Sequence, residues 1–156
     1  MTIIRVDTRT LQVNLEADPV PYERLGGRAL IAKLLLEEVP PRCDPLGPEN
    51  KLIIAPGLLG GSGVTAAGRL SIGGKSPLTG GVKEANAGGT AGDALGVLGV
   101  KAIVVENQPQ GEHWYTLLIH EDLSAELIQL DELKGLGTYA TSESLQEKFG
   151  EDCCVI

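Results

Sequence analysis

Apolar and polar residues alternate over Ile3-Ile4-Arg5-Val6-Asp7 and again over Leu11-Gln12-Val13-Asn14-Leu15, on either side of Thr8-Arg9-Thr10. A period of two puts successive side chains on opposite faces of a pleated strand, so the pair predicts an opening β-hairpin. The period then lengthens. Leu30, Ile31, Leu34 and Leu35 recur at helical spacing with Lys33, Glu37 and Glu38 off that stripe, and Pro40-Pro41 ends the pattern. Lys51-Leu52-Ile53-Ile54-Ala55 is a short apolar run closed by Pro56-Gly57, the signature of a buried strand. Leu70-Ser71-Ile72 and Gly81-Val82-Lys83 predict two short strands joined by the turn SPLTG. Ala91, Ala94, Leu95 and Leu98 return to helical spacing, with Thr90 placed to cap the segment and Gly99 to end it. Lys101–Glu106 reads as a second buried strand.

The remaining third repeats the alternation more simply. Trp114–Ile119 and Ala125–Leu130 predict strands joined through His120-Glu121-Asp122, and an amphipathic helix follows over Thr138–Phe149 with Gly150 as its stop. His113 and His120 flank a strand with no Cys, Asp or His at ligand spacing, which makes them surface residues. After Glu151-Asp152 the chain turns apolar through Cys153-Cys154-Val155-Ile156 and stops as if entering a strand. The expectation is a fragment of a longer polypeptide.

Composition narrows the function classes. A chain of 156 residues suits one domain, which buries roughly 70% of its unfolded surface without needing a staple. Cys43, Cys153 and Cys154 form no C-x-x-C pair and have no His partners, so they read as thiols in a reducing cytoplasm. No cationic start precedes a long apolar run, and no stretch approaches the roughly 18 apolar residues of a membrane span. A formal charge of -8 argues against a nucleic-acid surface. The acidity is uneven, however. Glu121 to Asp152 holds nine acids and two lysines, whereas from Gly57 to Gly99 Arg69, Lys75 and Lys83 face only Glu84 and Asp93. Fourteen of the 21 glycines also lie in that central stretch. It is the part most hospitable to an anion and to close backbone approach, although tight turns between short strands explain glycine equally well.

Within it, Gly73-Gly74-Lys75-Ser76 has the ending of a nucleotide-binding P-loop. That loop needs Gly, four residues, then Gly-Lys-Ser/Thr, so that backbone N–H groups curl around the phosphates. The position that should be glycine is Arg69, and Pro77 keeps Ser76 out of the helical region. The register is therefore wrong for a P-loop, which argues against that reading. Lys75 stands either as a phosphate-neutralising charge or as a solvated turn lysine.

Taken together, YERLGGRALIAKLLLEEVPP, DPLGPENKLIIAPGLL, GRLSIGGKSPLTGG and ANAGGTAGDALGVLGVKAIVVE, in this order, strongly resemble the N-terminal domain of the tungsten-containing aldehyde ferredoxin oxidoreductase family. The resemblance runs from the hairpin to residue 156. It implies an α+β fold of curved mixed β-sheets with a few helices. It also implies that residues 1–156 are the tungstopterin-binding N-terminal domain of a longer enzyme. In that family two pterins hold the metal, tungsten or molybdenum, through dithiolene sulfurs, and their phosphates meet at magnesium. Arg69 matches the arginine of the GR motif that hydrogen-bonds the pterin near a [4Fe–4S] cluster. Asn86 matches the asparagine whose backbone carbonyl helps hold magnesium, and Gly88 matches a glycine that approaches the pterin. A guanidinium beside bare backbone is what a phosphate-bearing ring system needs, whereas a surface ion pair is the plainer role for Arg69.

The chain departs from the family pattern at Leu70, where a tyrosine is common, and at Thr90-Ala91, where aromatics are usual. The cluster cysteines belong beyond residue 156, and none of Cys43, Cys153 or Cys154 replaces them. The resemblance thus implies the cofactor-binding part of a cytoplasmic enzyme that oxidises aldehydes to carboxylic acids, inactive as a fragment. Its expected partners are the rest of the polypeptide, ferredoxin and a second copy, with no nucleic acid and no membrane. Two other readings stay open: an interaction or assembly module that has lost the cofactor, and a nucleotide-binding protein.

Overall fold

The computed structural model describes residues 1–17 and 20–156. It divides into two compact units, Met1–Gln110 and Gly111–Ile156. In the first, strands β1 (Thr2–Asp7), β2 (Gln12–Ala17), β3 (Lys51–Pro56), β4 (Leu70–Lys75), β5 (Val82–Ala87) and β6 (Val100–Glu106) form one sheet of order β2-β1-β6-β3-β4-β5. β1 and β6 run parallel and every other neighbouring pair is antiparallel. The α+β mixed-sheet expectation holds.

Helix α1 (Gly27–Glu38) presents Leu30, Ile31, Leu34 and Leu35 to Ile3, Ile53, Ala55, Ala102 and Val104. Each of the large aliphatic side chains among these is almost fully buried, worth roughly 1.5–3 kcal/mol apiece in area removed from water. The spacing visible in the sequence is therefore the helix–sheet seam. At one end of that seam the charged residues pair with one another. Arg5 grips Glu38 through two nitrogens at 2.7 and 2.9 Å, and Lys51 Nζ donates to Glu38 at 2.8 Å and to Glu106 at 2.6 Å. Burial disfavours the Glu38 carboxylate, yet the bonds from Arg5 and Lys51 outweigh it and hold its pKa below the ordinary glutamate value.

Helix α2 (Ala91–Val97) lies against β3 and β6. Gly92 and Gly96, four residues apart, form a side-chain-free stripe on it. A Cβ at Gly96 would collide with Gly60 O, and one at Gly92 would lie 2.5 Å from Gly68 O. These central glycines thus serve backbone-to-backbone packing between α2 and the loop before β4. Thr90, placed by the sequence as a cap, makes no side-chain cap bond to the helix, and Asp93 instead accepts from Gly61 N–H at 2.9 Å. Gly99 ends the helix at φ +76°, as its position predicts.

The second unit is a hairpin of β7 (Tyr115–Ile119) and β8 (Ala125–Gln129) followed by α3 (Thr138–Phe149). Leu130, Leu133 and Leu145 make its core, with Ile128, Phe149 and Val155 packed around them. His113 and His120 are exposed, each beside a carboxylate, Asp131 and Glu126 respectively. Asp131 accepts from Trp114 N–H, His113 and Gln129, which lowers its pKa to about 2. Among the described residues no helix is long and apolar enough to cross a membrane.

Candidate cofactor-binding site

The stretch GGKSPLTGG is strand followed by turn. β4 continues past Ile72 through Gly73, Gly74 and Lys75, and the tight turn is Ser76–Gly81, closed by Ser76 N–H to Gly81 O at 2.7 Å and Gly80 N–H to Ser76 O at 2.8 Å. Lys75 points its ammonium inward, donating to the carbonyls of Pro41 at 2.7 Å and Cys43 at 2.6 Å. Both roles considered for it from sequence give way to a third, a staple between β4 and the segment after α1.

β5 is likewise longer than the pattern at residues 81–83 suggests, and its extension carries Asn86. The antiparallel register sets Ser71 opposite Asn86 and Gly73 opposite Glu84. Because side chains two apart on a strand share a face, Arg69 and Ser71 of one chain segment meet Glu84 and Asn86 of its neighbour. Arg69 Nε donates to Asn86 Oδ1, and Asn86 Nδ2 donates to Ser71 Oγ at 3.0 Å. Arg28, in the first turn of α1, donates to Glu84 Oε2 at 3.0 Å. The Ser71 hydroxyl, and then the Arg28 charge, hold the Glu84 carboxyl below the usual glutamate range. Ser71 also lies under Gly27, whose φ of +50° and close contact, 3.3 Å from a would-be Cβ to Ser71 Oγ, leave little room for a side chain.

The three residues singled out from the resemblance therefore come together. Arg69 and Asn86 are hydrogen-bonded, and a Cβ on Gly88 would find only Arg69 Nη1, at 3.8 Å. Arg69 pairs with no carboxylate among the described residues, so the surface ion-pair role is not what the structure shows. Its terminal nitrogens have no protein partner among the described residues, and Nη1 borders the open side of Gly88. Both polar atoms of the Asn86 amide are committed within the row, which leaves its backbone carbonyl for any cation. No group of three or more His, Cys, Asp or Glu among the described residues is placed to hold a metal ion. The donor set of guanidinium and bare backbone suits an anionic, heteroatom-rich ligand laid flat on the sheet end.

Ser71, Glu84 and Arg28 were not singled out from sequence. The available signal was the i, i+2 relation of Arg69 to Ser71 and of Glu84 to Asn86, legible only once both segments are known to be paired strands.

Fold and site together define an α+β domain with a mixed six-stranded sheet and an arginine-centred polar row at one end of its β4–β5 pair. Residues 3–156 match the family described as aldehyde ferredoxin oxidoreductase, N-terminal domain, and the chain belongs to that family. It is 37% identical over 153 residues to a tungsten-containing aldehyde ferredoxin oxidoreductase of Thermococcus kodakarensis, covering 92% of this chain and 25% of that protein. It is 44% identical over 109 residues to the Pyrococcus furiosus protein of the same name, covering 69% and 18%. Among solved structures, the active site complex BamBC of benzoyl coenzyme A reductase in complex with 1,5-dienoyl-CoA superposes with a TM-score of 0.88 at 30% identity, over 97% of this chain and 23% of that one. The chain spans a quarter or less of the length of these relatives.

Proposed function

We propose that this chain is the surface on which the bis-pterin tungsten or molybdenum cofactor of an aldehyde-oxidising enzyme rests. One observation carries the reading: Arg69 is fixed through Nε to Asn86 while its uncommitted Nη1 borders the bare backbone at Gly88. A guanidinium held this way keeps its terminal donors for a phosphate or a ring heteroatom, with little rotamer freedom left to lose on binding. Gly88 would let the ligand approach the backbone, and the Asn86 carbonyl would offer one oxygen to a magnesium ion.

When bound, the metal centre supplies two-electron oxidation of an aldehyde to a carboxylic acid, with electrons leaving singly through a [4Fe–4S] cluster to ferredoxin. The share of this chain is to bind and orient. The cluster ligands, ferredoxin docking and any homodimer contact are assigned to the rest of a longer cytoplasmic polypeptide, and this part alone is inactive. The higher identity to the aldehyde ferredoxin oxidoreductases, 37% and 44% against 30% for the benzoyl coenzyme A reductase complex, favours aldehyde oxidation over aromatic-ring chemistry.

The test is metal and pterin content of the complete enzyme carrying R69A. The expected result is loss of most bound tungsten and pterin, with K75A loading normally and wild type oxidising aldehydes with a viologen acceptor. Full loading of a folded R69A protein would overturn the reading. Saturable binding of ATP with magnesium would favour the nucleotide alternative, and a complete gene product without cofactor would favour the assembly module.

A further inference from the structure

We propose that Arg28 is a second ligand-binding guanidinium of this site, so that Arg28 and Arg69 together grip a ligand carrying two phosphate groups. The observation is a shared mode of anchoring. Arg69 Nε donates to Asn86 Oδ1, and Arg28 Nε donates to Glu84 Oε2 at 3.0 Å. In both, one edge of the guanidinium is fixed while the terminal nitrogens have no protein partner among the described residues. The two anchors are alternate residues of β5, opposite Gly73 and Ser71 on the face turned toward α1. Alternate residues lie roughly 7 Å apart along a strand, an interval that one ligand with two phosphates spans.

A plain ion pair is the competing explanation for Arg28, and the same sheet shows what one looks like. Arg5 meets Glu38 end on, with two terminal nitrogens on two oxygens at 2.9 and 2.7 Å. That fork is the stronger pairing of guanidinium with carboxylate. Arg28 forgoes it. Its Nε takes one Glu84 oxygen, and the other, Oε1, is buried without a hydrogen-bond partner. The Arg28 side chain stays 75% exposed, so the pair contributes little to stability. The helix gives no better reason, since Arg28 stands in the first turn of α1, where a positive charge meets the positive end of the dipole. What this geometry preserves is an outward fork on each arginine. Phosphate is the matching group, because its oxygens accept two parallel N–H bonds. With two guanidiniums against one carboxylate, the row is cationic in a chain of net charge -8.

The proposal rests on Arg69 as a cofactor-facing group, but its test needs no cofactor. Inorganic pyrophosphate is titrated into the 156-residue chain labelled with nitrogen-15 at arginine Nε. The Arg28 and Arg69 resonances, assigned by their loss in R28K and R69K, should shift together with one midpoint. R28A should weaken binding at least about tenfold, the factor of one charge-assisted hydrogen bond. R9A removes an equal charge at the β1–β2 turn, on the opposite edge of the sheet from β5, and should bind as wild type. If R28A does not fold, R28K keeps the charge beside Glu84 without the planar fork and should weaken binding likewise. A wild-type midpoint in folded R28A or R28K, or a loss no larger than that in R9A, overturns the proposal, as does the absence of saturable pyrophosphate binding. The cofactor reading fails separately, by normal tungsten and pterin loading of R69A in the complete enzyme, and that result would leave the two-phosphate site standing.

Discussion

Replacing Gly92 by alanine separates local propensity from tertiary contact, because the two predict opposite signs. Alanine in a helix is favoured over glycine by up to about 1 kcal/mol, so propensity alone predicts that G92A strengthens α2. The structure predicts the reverse. The added Cβ would lie 2.5 Å from Gly68 O and 2.9 Å from Arg69 C, where ordinary contact begins at 3.4 Å. Relieving the shorter contact requires about 0.9 Å of movement, the difference between 3.4 and 2.5 Å. The obstructing atoms are backbone, held by Gly57 N–H to Arg69 O at 2.9 Å and Arg69 N–H to Ala67 O at 2.8 Å, so no side-chain rotation relieves them. Overpacking costs about 1–3 kcal/mol, and a 2.5 Å contact against hydrogen-bonded backbone belongs in the upper part of that range, about 2–3, so after a propensity gain of about 1 the net loss is about 1–2 kcal/mol. For a domain of this size that lowers Tm by roughly 3–8 °C in a thermal melt. G81A is the control, since its Cβ meets nothing closer than Thr79 Oγ1 at 3.7 Å, and it should melt within about 2 °C of wild type. A Tm for G92A at or above wild type would refute the claim that the glycine stripe of α2 is packed against the loop leading to Arg69.

Two further outcomes follow from side chains around the sheet. Replacing Glu38 by glutamine leaves Arg5 and Lys51 facing an uncharged partner, and should destabilise the fold by about 2 kcal/mol at neutral pH, below the roughly 3–5 of a fully buried pair because the network is partly exposed. Since the folded pKa of Glu38 is depressed below 4.5, its contribution is present above that value and lost as pH falls through the folded pKa. Urea midpoints of wild type and E38Q should therefore converge in acid, and a pH-independent gap would count against the ion pairs. Replacing Lys75 by alanine removes both bonds that pin the segment around buried Cys43, so Cys43 should react several-fold faster with a thiol reagent, about the factor one lost hydrogen bond allows. Unchanged labelling would mean the staple is ornamental.

Local elements were legible from the order of residues alone. The stripe Leu30, Ile31, Leu34 and Leu35 is the seam of α1, the runs at Lys51 and Lys101 are buried strands, and Gly99 and Gly150 end helices, because period and chain stops act within a few residues. Motif resemblance added Arg69, Asn86 and Gly88. Pairing, by contrast, came from the folded arrangement. Gly73-Gly74 and Asn86 look like loop in a single line of text, since glycine and asparagine disfavour sheet locally, yet the β4–β5 ladder makes them strand. That ladder then sets Ser71 and Glu84 beside the arginine's asparagine anchor, while the approach of neighbouring segments turns Lys75 inward and assigns the glycines of α2 to packing. Those outcomes depend on which segments become neighbours, and contacts between distant segments are not encoded in the period of either one.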